Sequence, residues 1–423
     1  MRLTKELFYY KINKVKWLKT VWKTRGKYKN PPLQVPEAIE KLGVNIVDPL
    51  EEFRTDIKKE WKPPANDPRF YEEPSPTENP LYKENPVTCY SYNIKFLQNI
   101  DQVCVLTKTQ NFDGLPQNVS DLVNKIEIPN KEKLLKRYII HSQDWVSKKV
   151  KLPRRIDKEN LKFKFPREYG IPPSQSIGIF LTDLLRMCQS TAAQFPNAVK
   201  GRRLIHSPFI NTHYMFNDKN ILIRGSPSYM LGSNQDLQPF ANQEIIDKSI
   251  DMPLPDLYPV EPTIDLIKEH FYNDSTCNGF KLPYAFNRPH TLFMQNSDHW
   301  NNVDRQCRSL MFCFAYATAR ARERFGEDVV KLPEPVSVQC VNMDQTTLNF
   351  TCFQLNTLDI NTEGGVKNFV WFDTGNQIFK KILPQPWKED EYFHKKRYGE
   401  FESTPLDKML ALVLNGLPET ANL

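Results

Sequence analysis

The run LMFCFAYATA, residues 310–319, is apolar on nearly every side when wound into a helix. A surface helix carries one apolar stripe and needs cover on one side, whereas a helix apolar all round needs cover on all sides. Residues 304–325 are therefore predicted to form a helix at the centre of the core, with Gly326 as its C-terminal stop. Immediately downstream the pattern turns β-like. Residues 336–341 and 348–355 are β-rich runs separated by the polar turn MDQTT, and a third run, 369–372, follows NTEGG. The expected arrangement is a three-strand meander packed on the 304–325 helix.

Further helices are predicted on either side of this block. Ile177, Phe180, Leu181, Leu184, Leu185, Cys188, Ala192 and Phe195 form one helical stripe, ended by Pro196. Asn130 is placed as the cap of a helix whose face carries Leu134, Leu135, Tyr138, His141 and Trp145. Ile94, Leu97 and Ile100, continued by Val103 and Leu106, give an earlier one. A last helix opens at Thr404 as cap with Pro405 in the first position, shows Leu406, Met409, Leu410 and Val413 on one face, and stops at Gly416. A strand pair at 211–217 and 220–224 flanks the polar turn NDKN. There is no internal repeat, and the fold class is α+β.

Ahead of the body the chain reads differently. Seven prolines fall between residues 63 and 86, and each fixes φ and biases its predecessor away from helix. Trp61, Phe70, Tyr71 and Tyr82 sit among them, more apolar area than a disordered linker carries. This composition predicts an extended strap lying along a surface, either a partner's or the protein's own. The division is thus a basic segment at 1–30, an extended Pro-rich N-terminal strap at 31–88, and a mixed helix/antiparallel-sheet body at 89–423, with a split of the body near 270 left open.

Charge is distributed unevenly. The net charge is +7, yet residues 1–30 alone carry +9 and residues 131–167 another +9, leaving −11 on the remainder. Two basic segments on an acidic body point to a polyanion met by defined surfaces. Residues 1–30 lack the apolar stretch of a secretory signal and suit either a mitochondrial presequence or a retained arm on RNA. No run reaches the roughly eighteen apolar residues that span a bilayer. The eight cysteines include no Cys-x-x-Cys pair; Cys188, Cys307 and Cys313 fall in predicted helices, Cys340 and Cys352 in predicted strands, as small buried hydrophobes in a reducing compartment.

The sharpest catalytic string is VWFDTGN, residues 370–376, which resembles an aspartic-protease loop centred on Asp373. That chemistry needs two carboxylates sharing a proton, and no second Asp-Thr-Gly or Asp-Ser-Gly occurs in the chain. Metalloprotease, Walker, dinucleotide and nucleophile-elbow motifs are missing, and the seven histidines show no ligand spacing, so neither metal nor cofactor is implied. Cys307 and Cys313, as helix cysteines without a histidine nearby in sequence, are poor nucleophiles.

The basic segments carry a better-supported function. SKKVKLPRR (147–155) and KFKFPR (162–167) interleave cations with apolar residues and proline, while KGRR (200–203) and HKKR (394–397) add smaller clusters. Lysine supplies point charges for phosphates, arginine supplies planar forks, and Phe163 and Phe165 offer stacking surfaces. The candidate RNA-contacting residues are Lys148, Lys149, Lys151, Arg154, Arg155, Lys162, Lys164, Arg167, Lys200, Arg202 and Arg203.

Four blocks carry a family resemblance: DPRFY (67–71), NPLYK (79–83), RPHTLF (288–293) and, longest and most specific, FQLNTLDINTEGGVKNFVWFD (353–373). On these the chain resembles the family of animal mitochondrial large-subunit ribosomal protein thirty-seven, shared with the programmed-cell-death-nine mitochondrial ribosomal protein. The resemblance spans about 66–416, is weak through 150–270 and leaves out 1–60. It implies a matrix protein built into the mitochondrial large ribosomal subunit, with rRNA and other mitochondrial ribosomal proteins as partners. A heterodimer with the sister protein is implied as an open alternative, and no catalytic residue comes with the family. The remaining readings are a matrix RNA-binding protein outside the ribosome and, least favoured, an aspartic-type hydrolase using Asp373.

Phe314→Asp places a carboxylate in the middle of the core helix, where no partner is expected. The variant should lose cooperative folding in a circular-dichroism melt; a soluble variant with a sharp transition would sink the core assignment.

Overall fold

In the computed structural model the described residues are 18–20, 34–44, 75–123, 125–144, 150–151, 162, 169–280, 283–298, 300–362, 364–381 and 398–418. Residues Met1–Ser75 and Pro76–Leu423 form two separate units. Within the first, Glu37–Glu40 make one helical turn after Pro36. The second holds the body.

The predicted core helix is α5 (Asn302–Phe325). Asn301 caps it: its side chain accepts from the Asp304 amide at 2.7 Å and the Asp304 carboxylate accepts from the Asn301 amide, a reciprocal capping box. Every residue from Cys307 to Ala321 is buried. Cover on both sides comes from two sheets. The larger has seven strands in the order β2 (Thr109–Asp113), β13 (Asn368–Gln377), β12 (Thr347–Thr357), β11 (Lys331–Met343), β10 (Arg288–Gln295), β8 (Tyr229–Ser233), β5 (Arg202–His206). The smaller has four, in the order β6 (Ile210–Phe216), β7 (Lys219–Gly225), β1 (Tyr82–Tyr90), β9 (Ile267–Phe271). Phe314 reaches both: its ring lies 5.0 Å from Tyr214 of the small sheet and 6.2 Å from Phe353 of the large one.

Strand alternation divides the large sheet into two apolar faces. Val336, Val338 and Cys340 of β11, with Phe353 and Leu355 of β12, pack in the α5 core. Val341, Met343, Leu348, Phe350 and Cys352 belong to a second core on the other face. Helices α2 (Lys131–Asp144), α3 (Pro173–Ala192) and α6 (Thr404–Leu414) supply that second core. The body is therefore layered as small sheet, α5, large sheet, helices.

The meander β11–β12–β13 is antiparallel, as the sequence predicts. Two parallel pairings extend it: β13 with β2, and β10 with β11. Because α5 connects β10 to the neighbouring parallel β11, the core helix is the crossover of a βαβ unit. The hairpin β6–β7 turns through Asn217 and Asp218, both at positive φ (46° and 60°), which suits a two-residue primed turn.

Two elements start elsewhere than predicted. Strand β1 begins at Tyr82, inside the segment read as strap. Proline is tolerated there because the register shifts between Tyr82 and Val87, and β7 pairs with β1 only from Thr88 onward, so Pro86 owes no ladder hydrogen bond. Helix α1 (Asn99–Thr107) begins after Ile94 and Leu97; Leu97 is exposed, and the chain enters at Asn99 with φ 50°. Asn130 also has positive φ (55°), outside the extended conformation of a capping residue. Helix α6 is more enclosed than one stripe implies: all of Pro405–Leu414 except Lys408 is buried.

A Cβ on Gly232, in β8 between β10 and β5, would collide with the Phe286 carbonyl oxygen and with Ile205 Cδ1. Gly232→Ala should cost about 1–3 kcal/mol in urea melts. Gly364→Ala, which meets nothing within 4 Å, should stay within about 0.5 kcal/mol of the parent. Equal effects would contradict the strand packing described.

Candidate nucleic-acid interface

The predicted basic residues do not share one role. Lys148, Lys149, Arg154, Arg155, Lys164 and Arg167 lie outside the described residues, as does HKKR (394–397). Lys151 and Lys162 are exposed. Lys151 sits in β3 (Val150–Lys151), which pairs antiparallel with β4 (Tyr169–Gly170). Lys200, in the last turn of α4 (Pro196–Gly201), is exposed too.

KGRR then splits, because Arg202 and Arg203 are neighbours in β5 and point to opposite faces. Arg203 is exposed, its guanidinium 4.6 Å from the centre of the Phe286 ring. Arg202 is turned inward, and this corrects its place among the RNA contacts. Its Nη1 and Nη2 donate to the carbonyls of Val413 and Asn415 at the C-terminal end of α6.

Arg202 belongs to a buried network that satisfies the carbonyls a helix leaves open at its C-terminus. Gln339 Nε2 donates to the Leu412 carbonyl at 3.0 Å, and Asn415 Nδ2 donates to Gln339 Oε1 at 3.0 Å. His290 Nε2 lies 3.0 Å from the Asn415 carbonyl, an acceptor only, so this nitrogen carries the proton. Its Nδ1 then accepts from the Thr291 hydroxyl at 2.8 Å. Burial holds the His290 imidazole well below its ordinary value; the nearby Arg202 guanidinium acts in the same sense, against the bond to Asn415.

Asp373 is likewise engaged. Lys408 Nζ donates to its Oδ2 at 2.7 Å, and Asn376 Nδ2 donates to its Oδ1 at 3.1 Å. The Asp-Thr-Gly string runs on within β13 beside a register shift, with Gly375 at φ 77°, rather than forming a loop. An ammonium neutralises the carboxylate that a protease would pair with a second acid. Burial raises the thiols too, Cys89 to about 11 and Cys104 and Cys188 to about 12, which leaves them unreactive. Among the described residues no group of three or more His, Cys, Asp and Glu side chains is placed to hold a metal.

The sequence reading missed a cleft of about 1040 Å³ between α3 and the turns that precede β6 and β8. Tyr229 and His206 form an edge-to-face pair there, centroids 5.1 Å apart. The Thr182 hydroxyl donates to the Gly178 carbonyl at 2.7 Å, so Tyr229 donates the 3.1 Å bond between the two hydroxyls. Asp183 is buried and holds His141 Nδ1 at 2.7 Å and Arg186 Nη1 at 3.4 Å. At one end stands Tyr92, whose ring is 4.0 Å from the fully buried Arg308 guanidinium. Arg308 is stacked on Trp300 as well, at 3.6 Å, and bonded to Asn296 and Asp298.

No family model matches the chain. It is 30% identical over 366 residues to the large ribosomal subunit protein mL37 of Rattus norvegicus, covering 84% of this chain and 81% of that one. The mL37 protein of Gallus gallus matches at 28% over 419 residues, covering 94% and 92%, and that of Mus musculus at 29% over 367 residues, covering 84% and 82%. The chain belongs to the mL37 family. Two of the blocks that carry the family resemblance now have a structural meaning. RPHTLF lies in β10 and supplies His290 and Thr291 to the network around α6. The 353–373 block runs from the second half of β12 through the following loop into the first part of β13. In that loop the buried Lys108 ammonium donates to the carbonyls of Asp359 (2.9 Å) and Gly364 (2.7 Å) and to the Thr362 hydroxyl (2.8 Å). Lys367 Nζ reaches the Ile250 and Gly365 carbonyls at 2.9 and 3.0 Å. Burial lowers both ammonium groups from their usual range. Of NPLYK, Tyr82 and Lys83 open β1, while DPRFY lies outside the described residues.

Because His290 is neutral when folded and titrates near its ordinary 6.5 when unfolded, acid favours the unfolded chain. Its contribution is intact above that value and is lost as pH falls below it, by at most about 1.4 kcal/mol per pH unit. Urea melts between about pH 5 and pH 7.5 should show His290→Gln less stable at neutral pH but with a shallower loss in acid. An unchanged slope would contradict the buried neutral imidazole.

Proposed function

We propose that this chain is a structural constituent of the mitochondrial large ribosomal subunit, not an enzyme, supporting mitochondrial translation from the matrix. The observation that carries this reading is similarity over most of both chains to large ribosomal subunit proteins mL37. The engaged Asp373 carboxylate, the raised thiols and the family blocks that build packing rather than a reaction centre support it. No helix among the described residues is long and apolar enough to cross a membrane.

Its partners are the large-subunit rRNA and neighbouring mitochondrial ribosomal proteins, with the sister family member as a heterodimer partner. The rRNA contact falls to Lys148, Lys149, Lys151, Arg154, Arg155, Lys162, Lys164, Arg167, Lys200 and Arg203. Support for this set is charge: residues 131–167 carry +9 on a chain whose remainder outside both basic segments is acidic. Phosphate contacts of this kind hold position without reading sequence.

A sucrose-gradient profile of mitochondrial lysate should place the protein with large subunits at low salt and loosen it at high salt. Neutralising Lys148, Lys149, Lys151, Arg154 and Arg155 to Gln should weaken binding to purified rRNA and flatten its salt dependence, by about 0.7 in log–log slope for each contact to single-stranded RNA. Protein only at the top of the gradient under both conditions would remove the ribosomal reading.

A further inference from the structure

We propose that the cleft between α3 and the turns before β6 and β8 receives one unstacked nucleotide of single-stranded RNA, its base against His206 and Tyr229 and its phosphate at Arg186. The inference rests on the rRNA-binding reading above and gives that reading a defined pocket.

Lining chemistry selects the class of ligand. Ile179 and Pro227 are the aliphatic residues of the wall; the rest is hydroxyl, amide, imidazole, guanidinium, aromatic ring and one carboxylate, with Gly178 in the helix. A docked protein side chain prefers an apolar, desolvated pocket, whereas a nucleotide presents donors and acceptors on base, sugar and phosphate. The one acidic side chain of the lining is Asp183, already held by His141 and Arg186, so it does not repel a phosphate. Arg186 is 71% exposed along its side chain, and its ion pair with Asp183 is made through Nη1, at 3.4 Å.

The aromatic surface is fixed in advance. Tyr229 is tied by its hydroxyl to Thr182, which is itself tied to the α3 backbone, and His206 stands edge-to-face on the tyrosine ring with its own side chain exposed. A preset platform loses little conformational entropy when a base stacks on it. The volume, about 1040 Å³, accommodates a nucleotide with its flanking phosphates.

Position supplies the link to RNA. In sequence, residues 147–167 lie between helix α2, which carries His141 in the cleft wall, and α3, whose Gln175 and Gly178 line the same wall. That basic segment is joined in sequence to the cleft wall on both sides. The base that enters is one turned out of its strand. Single strands offer such a base; an A-form duplex keeps its bases stacked.

Purified full-length protein would be titrated, by fluorescence anisotropy, with a labelled oligouridylate of about ten nucleotides and with an A-form duplex of about 16 base pairs. His206→Ala and Arg186→Gln, both at exposed side chains, should each weaken oligouridylate binding about fivefold or more and leave duplex binding unchanged. Arg186→Gln should also lower the single-strand salt slope by about 0.7, while His206→Ala leaves it as it was. Thermal melts check that both variants are folded. If the basic-segment variants weaken both probes while the cleft variants weaken neither, the cleft inference falls and rRNA binding stands. If the parent protein binds neither probe, the rRNA-binding reading falls and takes the cleft with it.

Discussion

Helix α5 has no polar side through its middle, and the rest of the body follows from that constraint. Phe314, between Tyr214 and Phe353, shows how it is met: one ring is in contact with a sheet on each side. Burying such a side chain contributes about 1.5–3 kcal/mol, and α5 repeats the gain over turn after turn. Covering a helix on two sides takes two sheets. The small one is assembled from β1, β6, β7 and β9, which are scattered between residues 82 and 271. The large sheet, apolar on both faces, then needs a second cover, which α2, α3 and α6 supply.

Burial on this scale traps polar backbone, and the chain answers with long polar side chains. The carbonyls at the end of α6 are met by Arg202 from β5, His290 from β10 and Gln339 from β11. An unmet buried carbonyl costs about 1–3 kcal/mol, so these three side chains matter to the fold as much as the apolar residues beside them. Lys108 and Lys367 do the same for the loop between β12 and β13. Blocks that mark the family are therefore recognisable through packing and hydrogen bonding inside the body.

Cations accordingly fall into two populations. One is buried and bonded to backbone carbonyls, where its charge is used within the molecule. The other lies on exposed residues such as Lys151, Lys162, Lys200 and Arg203. Only the second is open to a polyanion. A layered body that keeps these cations at its surface suits a component held in a larger assembly.

The elements that were legible in the sequence are those whose signal is local. The α5 run, the α3 stripe, the β6–β7 hairpin and the β11–β12–β13 meander all declare themselves within a few residues, because helix and strand periods relate near neighbours. The strand character of β10 was read only as a family block, and its parallel pairing with β11 depends on a crossover of more than thirty residues. The cleft was illegible for the same reason: His141, Asp183, His206 and Tyr229 come from four separate elements. Arg202 is the clearest case. Its composition says cation on a basic run, but its role was decided by the carbonyl of Asn415, 213 positions away. Sequence by itself determined the α+β class, the core helix and the distribution of charge, since these depend on residue type and short spacing. Tertiary structure alone decided which charges are buried, which strands are neighbours and where a cleft opens, since each depends on groups that only folding brings within hydrogen-bonding distance.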